Sequence, residues 1–506
     1  MTKPKVHFIG IGGIGTSALA RWFLTHNWQV SGSDAVASPI TQKLKKQGIR
    51  IYIGHQTKNL SPKTELVIYS AAVPPNNPEL KKAKKLRITV KSYAQALAEL
   101  NKQYKTLAVS GAHGKSTTTA LLSLVLIKAG FDPTVIIGTK LKEFGGSTSS
   151  PQGSNFRNGK GNYLVLEADE YQGSFLNYSP FAAIITNIDR EHLDYYKNLR
   201  NIKNAFLKFI SNIQPNGILV VNQDDKNLFS LKNKIQKISQ KKKIKIFWYG
   251  ISVNQRTHQR LSAILKIVGE HNLSNALAVY TLAKALKIKD KDIFSAIGSY
   301  CGSWRRMEYR GTFKVRSQKS VVNCQVFDDY AHHPTEIKAT LTGIAKKWPK
   351  IPLICVFQPH QVKRLSLLFK DFIKAFDKAN ALVLLPIYRV RGRDSLNLSQ
   401  NRGCCNENKF RRKTSQIFYN NKIVAKYLSE KLAEAIQKRI NSNKLKIGNC
   451  RLKTVTYLPH PTKLPQILKE IIKNISVNQR THQRESAIIV MMGAGDIYKI
   501  TDKLIQ

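Results

Sequence analysis

The sequence predicts an α/β protein with three domains built on parallel, doubly wound sheets. The chain of 506 residues is too long for a single hydrophobic core. Short apolar runs alternate with helical patterns along its length, which is typical of parallel sheets covered by helices. Two glycine-rich turns each join a predicted strand to a predicted helix. We therefore expect domains at 1–100, 101–310 and 311–506.

The first domain opens with a dinucleotide-fold fingerprint. A predicted strand, Val6–Ile9, leads into the turn Gly10-Ile11-Gly12-Gly13-Ile14-Gly15 and a predicted helix over Thr16–His26. A second strand begins at Gln29–Ser31, and Asp34 stands at its end, about twenty residues beyond the turn. Because such a turn can hold any pyrophosphate, it predicts a nucleotide-containing ligand without establishing NAD. The candidate residues are Gly10, Gly12, Gly13, Gly15 and Asp34.

The second domain begins with a phosphate-binding loop. The loop follows a predicted buried strand, Thr106–Val109, precedes a predicted helix over Ala120–Ala129, and reads Gly111-Ala112-His113-Gly114-Lys115-Ser116-Thr117. Backbone N–H groups in such a loop face phosphates, the lysine reaches the outer phosphates, and the serine hydroxyl can bind Mg²⁺. The sequence therefore predicts that the protein uses ATP.

Acidic residues follow two predicted buried strands downstream of this loop. Glu167-Ala168-Asp169-Glu170 follows one strand, and Asn187-Ile188-Asp189-Arg190-Glu191-His192 follows another. Parallel strands present such residues at one edge of the sheet, so we expect Glu167 and His192 near Ser116. Carboxylate oxygens suit Mg²⁺, whereas imidazole is a less usual ligand. A helix cap remains the alternative for the acids, and a residue that is not a ligand remains the alternative for the histidine.

Further polar motifs lie in the second half of the chain. His271 and Asn275 are spaced by one helical turn, and an asparagine can pair with an adenine edge, although a plain helix start explains the motif equally. Arg305-Arg306 suits phosphates or carboxylates, with a surface ion pair as the alternative. Two dense clusters, Asp328–Glu336 and Phe357–His360 with Arg364 one turn later, lack the histidine spacing of zinc sites.

Composition limits the partners and the location. The formal net charge of +51 invites a nucleic-acid interpretation, but the basic residues are spread along the chain, so we expect anionic substrates and no specific nucleic acid. Six scattered cysteines give no zinc spacing or disulfide framework. Without a signal-peptide pattern or a membrane-length apolar run, we expect a cytoplasmic protein that does not insert into membranes.

One segment of the sequence occurs twice. Residues Ile251–Ile264 and Ile475–Ile488 differ only at Leu261 and Glu485. Their polar character and the lack of a clear amphipathic period favour inserted surface loops, with a duplicated binding loop as the alternative. A third polar segment, Asn397–Ser415, also has the character of an insertion.

Taken together, the motifs resemble those of the Mur ligase family over nearly the whole chain. Any one of them is shared with other proteins, but their combination and order are specific. Their forms are most similar to those of the family member that adds alanine. The motifs are Gly10–Gly15, Gly111–Thr117, Glu167–Glu170, Thr186–Asp194, Gly269–Ala276, Gly302–Tyr309, Asp328–Glu336, Phe357–His360 and Met492–Asp496.

The resemblance implies a Rossmann-like UDP-binding domain, a P-loop central ATPase domain and a Rossmann-like C-terminal domain. It implies ATP and Mg²⁺ as cofactors and UDP-N-acetylmuramate and L-alanine as substrates, joined through an acyl phosphate by a monomer or dimer. The resemblance implies that the UDP substrate is held by Gly10, Gly12, Gly13, Gly15 and Asp34, and the ATP phosphates by Gly111, His113, Gly114, Lys115, Ser116 and Thr117. It implies that metal is bound by Ser116, Glu167 and His192, adenine by His271 and Asn275, and ribose and phosphates by Arg306 and Asp329. It also implies that the acceptor side is lined by Tyr330, His332 and Arg364, and that catalysis depends on Lys115, Glu167, His192 and His332.

The chain departs from the family pattern at three places. Glu191 replaces the usual aspartate before His192, and Gln361 replaces the usual arginine after His360. The stretch after Tyr249-Gly250 is short, which implies a truncated central sheet.

Three other functions stay open: an oxidoreductase based on Gly10–Gly15, a basic nucleic-acid-binding ATPase, and a related ligase that adds another amino acid or a recycled murein peptide.

Overall fold

The computed structural model of the chain describes residues 3–144, 153–253, 255–316, 321–389, 421–442, 451–477 and 486–505. They form two compact units: residues 1–267 with 271–304, and residues 268–270 with 305–506. The strands in the described residues form three sheets, two in the first unit and one in the second. The predicted α/β fold with three sheets is confirmed. No helix in the described part of the chain has the length and apolar character needed to cross a membrane.

The first sheet is parallel throughout, with strand order β3-β2-β1-β4-β5. Its strands are β1 (Lys5–Ile9), β2 (Gln29–Asp34), β3 (Arg50–Ile53), β4 (Leu66–Tyr69) and β5 (Thr89–Ser92). Its helices are α1 (Ile14–Thr25), α2 (Pro39–Lys46), α3 (Pro78–Lys85) and α4 (Tyr93–Lys102). The glycine turn lies where β1 ends and α1 begins, as the sequence predicts, so the start of a helix faces the carboxyl edge of the sheet.

The second sheet has the order β12-β11-β10-β6-β9-β7-β8 and is parallel except for the edge pair β7–β8. Its strands are β6 (Lys105–Ser110), β7 (Thr134–Leu141), β8 (Ser154–Arg157), β9 (Tyr163–Glu167), β10 (Ala182–Ile185), β11 (Ile218–Asn222) and β12 (Lys245–Tyr249). Its helices are α5 (Lys115–Lys128), α6 (Leu193–Tyr196), α7 (Leu199–Ser211), α8 (Lys226–Phe229), α9 (Lys232–Lys242), α10 (Gln255–Ile264), α11 (Glu270–Ala285) and α12 (Asp290–Ser299). Strands β6, β9 and β10 end side by side, which brings their motifs to one edge.

The third sheet, in the second unit, has the order β13-β14-β18-β15-β16-β17, and β13–β14 is antiparallel. Its strands are β13 (Glu308–Arg316), β14 (Val321–Asp329), β15 (Leu353–Phe357), β16 (Ala381–Leu384), β17 (Thr454–Tyr457) and β18 (Ser486–Met492). Its helices are α13 (Pro334–Lys347), α14 (Val362–Leu367), α15 (Phe369–Phe372), α16 (Asn421–Asn441), α17 (Leu464–Val477) and α18 (Ile497–Ile505). The predicted parallel sheets are therefore observed, with β7–β8 and β13–β14 as antiparallel pairs.

Residues Gln255–Ile264 of the first copy form a helix at the surface, so the prediction of a loop is wrong there. Helix α10 buries Thr257 and Leu261 and packs against α12. The partly buried Ile264 at the end of the helix also packs against the core. The described residues between β12 and α11 contain no strand, in agreement with the expected short central sheet. Residues 478–485 of the second copy, and the segment Asn397–Ser415, lie outside the described residues.

Candidate functional site

The backbone conformation of the loop between β6 and α5 favours glycine at two positions. Gly111 has φ 138° and Gly114 has φ 81°, a region that favours glycine. A Cβ atom at Gly111 would lie 2.0 Å from Oγ1 of Thr186, and one at Gly114 would lie 2.5 Å from Oδ1 of Asn275. The loop therefore packs closely against the end of β10 and against helix α11, and its tight curvature leaves backbone N–H groups available to phosphates.

The segment after β10 fixes this loop. The hydroxyl of Thr186 donates to the carbonyl of His113 at 2.7 Å, and Oδ1 of Asn187 accepts from the backbone N–H of His113 at 2.8 Å. The imidazole Nε2 of His113 lies 2.9 Å from Oδ2 of Asp189. The motif Thr186–Asp194 thus acts partly as a scaffold for the phosphate loop. That scaffolding role could not be predicted from the residue types.

Lys115, the first residue of α5, turns its side chain back over the loop. Its Nζ donates to the carbonyl of Gly111 and to Oε2 of Glu170, both at 2.8 Å, and lies 3.7 Å from Asp169. Burial opposes the charge, but the carboxylates of Glu170, Asp169 and Glu167 hold the pKa of Lys115 above its ordinary value. Lys115 is therefore a fixed cation at the mouth of the loop.

Ser116 and Glu167 meet as the sequence predicts. The Ser116 hydroxyl donates to Oε1 of Glu167 at 2.9 Å, and Oε2 accepts the backbone N–H of Gly138 at 2.8 Å. A side chain at Gly138 would collide with this carboxylate, since its Cβ would lie 2.7 Å from Oε2. Thr117 follows, buried in the first turn of α5. A hydroxyl beside a carboxylate is a pair of hard oxygen donors of the kind that Mg²⁺ prefers.

His192 lies beside Glu170 and Asp169. Ligand atoms of Asp169, Glu170 and His192 all lie within 4.8 Å of one another, and Nε2 of His192 is 3.7 Å from Oε1 of Glu170. That buried Oε1 accepts no hydrogen bond in the described part of the chain. Burial raises the pKa of Glu170 to about 8, although Lys115 opposes the shift. This unsatisfied carboxylate oxygen, with a second carboxylate beside it, fits a divalent cation.

The predicted metal residues are thus divided between two neighbouring pairs. Ser116 lies with Glu167, and His192 lies with Glu170. Glu170 was not among the residues predicted to bind metal. Its position in the same acidic motif as Glu167 was the available signal.

The glycine turn of the first sheet is also closely packed. The N–H of Gly12 donates to Oδ2 of Asp34 at 2.8 Å, and the hydroxyl of Thr16 donates to the carbonyl of Gly10 at 2.8 Å. Gly10 has φ 79°. A Cβ atom at Gly13 would lie 2.8 Å from Oγ1 of Thr16. Asp34 thus holds the backbone of the turn, as well as standing at the edge where a ligand would bind.

Tyr93 packs against this glycine turn. A Cβ atom at Gly15 would lie 2.7 Å from the Tyr93 hydroxyl. Burial and the charges of Glu167 and Asp169 raise the pKa of the Tyr93 phenol. The Tyr93 side chain therefore lies against the glycine turn, within the electrostatic influence of the carboxylates beside the phosphate loop. No motif pointed to Tyr93.

The adenine candidates lie on the first turns of α11. Asn275 is buried against the phosphate loop at Gly114, and its Nδ2 donates to Oδ1 of Asn272 at 3.3 Å. His271, one turn earlier, is partly exposed. The structure places Asn275 beside the loop, and the adenine role of both residues stays a prediction.

In the second unit, Asp329 ends strand β14 in a buried setting. Its carboxylate accepts the N–H of Ala331 at 2.7 Å and the N–H of Met307 at 3.1 Å. Burial raises the pKa of Asp329 to about 6, although the charge of Arg306 opposes the shift. The Arg306 guanidinium lies 5.0 Å from the centre of the Tyr330 ring, and it is only partly buried. Arg306 therefore lies close enough to Asp329 to influence its charge, and the nucleotide role of both residues stays a prediction.

Arg305 has a different position from Arg306. Its guanidinium is buried and donates to the carbonyl of Gly495 at 2.8 Å and to the carbonyl of Gly493. The two adjacent arginines of the motif therefore separate into one that holds the segment after β18 and one that lies beside Tyr330 and Glu336.

Aromatic and basic side chains gather beyond the ends of β14 and β15. The rings of Tyr330 and His332 have centroids 5.4 Å apart, and those of His332 and His360 are 5.8 Å apart. Nη1 of Arg364 lies 3.2 Å from Nδ1 of His360, which in turn stacks on Tyr388. The structure thus brings Tyr330, His332 and Arg364 together. His360 joins them from a motif already noted, whereas nothing in the sequence pointed to Tyr388.

Three family models match the chain. The model described as "Mur ligase family, catalytic domain" matches residues 5–105, "Mur ligase middle domain" matches 109–283, and "Mur ligase, glutamate ligase domain" matches 305–443. A protein of Clostridium botulinum strain Okra, named UDP-N-acetylmuramate–L-alanine ligase, is 37% identical across 100% of this chain and 98% of its own. The protein of that name from strain Hall is 42% identical over 78% of this chain and 85% of its own.

Solved structures have a similar fold. The UDP-N-acetylmuramate–alanine ligase MurC of Thermotoga maritima aligns with a TM-score of 0.70 and 23% identity, covering 99% of this chain and 98% of that one. A murein peptide ligase of Psychrobacter arcticus aligns with a TM-score of 0.59 and 22% identity, covering 99% and 98%. At these identities the alignments establish the fold.

Proposed function

The chain belongs to the Mur ligase family, and we propose that it joins L-alanine to the lactyl carboxylate of UDP-N-acetylmuramate, using ATP, in peptidoglycan precursor synthesis. The relative that is 37% identical along the whole chain carries this activity in its name. The observation that carries the proposal is the group of contacts at the ATP loop, where Lys115 pairs with Glu170 and the Ser116 hydroxyl bonds Glu167.

The reaction has two steps. A carboxylate oxygen of the lactyl group attacks the γ-phosphorus of ATP, the bond to the β-phosphate oxygen breaks, and ADP leaves. The alanine amine then attacks the carbonyl carbon of the acyl phosphate, inorganic phosphate leaves, and an amide forms with loss of a proton. Lys115 is positioned to stabilise the charge on the transferred phosphoryl group, because fixed cations in a dry site favour that transition state.

We place Mg²⁺ at two neighbouring positions beside the ATP loop. Ser116 and Glu167 would hold one ion, and Asp169, Glu170 and His192 would hold a second. A bound divalent cation would supply charge neutralisation for the phosphates. The support is the hard-oxygen donor set and the unsatisfied carboxylate oxygen of Glu170.

The remaining roles and the domain limits are part of the same proposal. Gly10, Gly12, Gly13, Gly15 and Asp34 bind the UDP substrate in a domain of residues 1–100. The loop Gly111–Thr117 with His271 and Asn275 binds ATP in a domain of 101–310. In the domain of 311–506, and in the segment just before it, Arg306 and Asp329 contact nucleotide while Tyr330, His332 and Arg364 serve the acceptor side. The hydrogen bonds and ring contacts above support this grouping.

An isotope experiment tests the acyl-phosphate step. UDP-N-acetylmuramate labelled with ¹⁸O in both lactyl carboxylate oxygens is converted with ATP and L-alanine, and the released phosphate is analysed by mass spectrometry. One ¹⁸O atom should pass into each phosphate, because the attacking carboxylate oxygen leaves with it. Unlabelled phosphate together with amide product would contradict the proposal.

A further inference from the structure

A basic cavity lies beside helices α1 and α2, away from the groups assigned above. It has a volume of about 200 Å³, and four of the side chains that line it are cationic: Arg21, Lys43, Lys46 and Lys140. None of its ten lining residues is aspartate or glutamate. We propose that this cavity is a second anion site, which binds a small molecule bearing phosphate or carboxylate groups.

Arg21 provides the main argument. Its side chain is almost completely buried, with a relative exposure of 6% for the residue. It donates to two neutral amides, Oε1 of Gln47 at 2.9 Å and Oδ1 of Asn155, and pairs with no carboxylate in the described residues. Burial lowers the pKa of Arg21 to about 10. A buried guanidinium without an anionic partner is costly, and a bound oxyanion would provide that partner.

Lys43 adds a second positive charge that pairs with no carboxylate in the described residues. Its Nζ donates to the carbonyl of Gly153 at 3.0 Å. Burial and the nearby positive charge of Arg21 lower the pKa of Lys43. Like charges that repel one another around one cavity are a feature of sites built for an anion, because a ligand carrying two or more negative charges relieves the repulsion.

Asn155 separates the cavity from the glycine turn of the first sheet. Its Nδ2 donates to the carbonyl of Ile14 and to the hydroxyl of Ser17 at 3.1 Å, while its Oδ1 accepts from Arg21. No residue of the turn Gly10–Gly15 or of the loop Gly111–Thr117 lines the cavity. The site is therefore distinct from both predicted phosphate sites.

The walls of the cavity come from both sheets of the first unit. Helices α1 and α2 belong to the first sheet, whereas Lys140 and Ser154 belong to strands β7 and β8 of the second. A bound anion would contact both and would tie them together. This binding is independent of the ligase reaction and does not rest on it.

A lysine-acylation footprint, read by mass spectrometry on the full-length protein, tests the site. Inorganic pyrophosphate and citrate serve as the phosphate and carboxylate probes, without ATP or divalent cations. We expect at least one probe to reduce the labelling of Lys43 and Lys46 several-fold. Lys45 lies exposed on the same helix and outside the cavity, so its labelling should stay constant.

Variants identify where the protecting anion binds. Arg21→Gln should abolish the protection, and Arg21→Lys should retain part of it. If Arg21→Gln does not fold, Lys43→Gln should raise the dissociation constant of the protecting probe about tenfold in calorimetry, the value for one lost charge-assisted hydrogen bond. Lys115→Ala should leave the protection of Lys43 intact. Equal protection of Lys43 and Lys45, no protection by either probe, or its loss in Lys115→Ala would overturn the proposal.

Discussion

The Ser116 hydroxyl donates a 2.9 Å hydrogen bond to Oε1 of Glu167 and thereby joins the first turn of α5 to the carboxyl end of β9. The two residues are 51 positions apart in the chain. The pair meets because β6 and β9 are parallel neighbours whose ends coincide. The same edge holds Lys115 and Glu170, so a fixed cation and carboxylate oxygens occur side by side.

Replacement of Lys115 tests the ATP loop. Lys115→Ala removes the cation that faces the transferred phosphoryl group, and we expect kcat to fall at least ~100-fold. Binding of UDP-N-acetylmuramate, measured by calorimetry, should persist because the glycine turn is intact. Lys128→Ala, an exposed substitution in the last turn of the same helix, is the control and should retain full activity. Wild-type phosphate release by Lys115→Ala would refute the assignment.

Replacement of Glu167 tests the metal assignment. Glu167→Gln keeps the shape of the side chain and removes the charge, so we expect a large loss of rate and a higher Mg²⁺ concentration for half-maximal activity. Titration of activity with Mg²⁺ measures the change. Glu99→Gln alters an exposed carboxylate paired with Lys91 and should leave the titration unchanged. A Mg²⁺ curve for Glu167→Gln that matches the wild type would make Glu167 a structural residue.

The difference between the two copies of the repeat suggests a substitution that tests the packing of helix α10. Leu261 is fully buried in α10, whereas the second copy has Glu485 at the matching position. Leu261→Glu should therefore destabilise the first unit by about 3 kcal/mol or more, because it buries a charge and removes core packing. Ser262→Glu adds the same charge at an exposed neighbour and should be nearly neutral. Urea unfolding compares them, and equal stability of the two variants would show that α10 does not pack as described.

The buried Asp329 predicts a pH-dependent stability. Its pKa of about 6 lies above the ordinary value of 3.8, so the folded chain binds this proton more tightly than the unfolded chain does. Its contribution to stability is complete below about pH 4 and is lost as the pH rises through 6, a change on the order of 3 kcal/mol.

Pulse proteolysis in urea, read on peptides of the second unit, measures this change. Between pH 4 and pH 7, Asp329→Asn should lose less stability than the wild type. Asp328, whose pKa burial also raises to about 6, remains in that variant and preserves part of the slope. Identical slopes for Asp329→Asn and the wild type would contradict the shift.

Much of the first unit could be predicted because its elements have local signals. The turn Gly10–Gly15 and the loop Gly111–Thr117 carry glycines at positions where the backbone needs them, and the apolar runs before them form β1 and β6. The proximity of Ser116 to Glu167 could be predicted because parallel strands end at one edge of a sheet. Long-range partners such as Tyr93 and Tyr388 could not be predicted, because tertiary packing brings them to the site without a motif.

The repeat shows why local sequence was insufficient elsewhere. Ser262-Ala263-Ile264 ends helix α10, whereas the identical Ser486-Ala487-Ile488 begins strand β18. Their neighbours decide between the two structures, since β18 pairs with β14 and β15 while α10 packs on α12. Intrinsic preferences of about 1 kcal/mol or less per residue are too small to oppose such packing.

A comparison of kcat/KM among amino-acid substrates tests the central claim most directly. The purified protein is given ATP, Mg²⁺ and UDP-N-acetylmuramate with L-alanine, glycine, L-serine or the murein tripeptide, and kcat/KM is determined from phosphate release with the amide product verified by mass spectrometry. We predict the highest kcat/KM with L-alanine and no phosphate release above background when UDP-N-acetylmuramate is omitted. A higher kcat/KM with the tripeptide, or phosphate release that does not require UDP-N-acetylmuramate, would contradict the account.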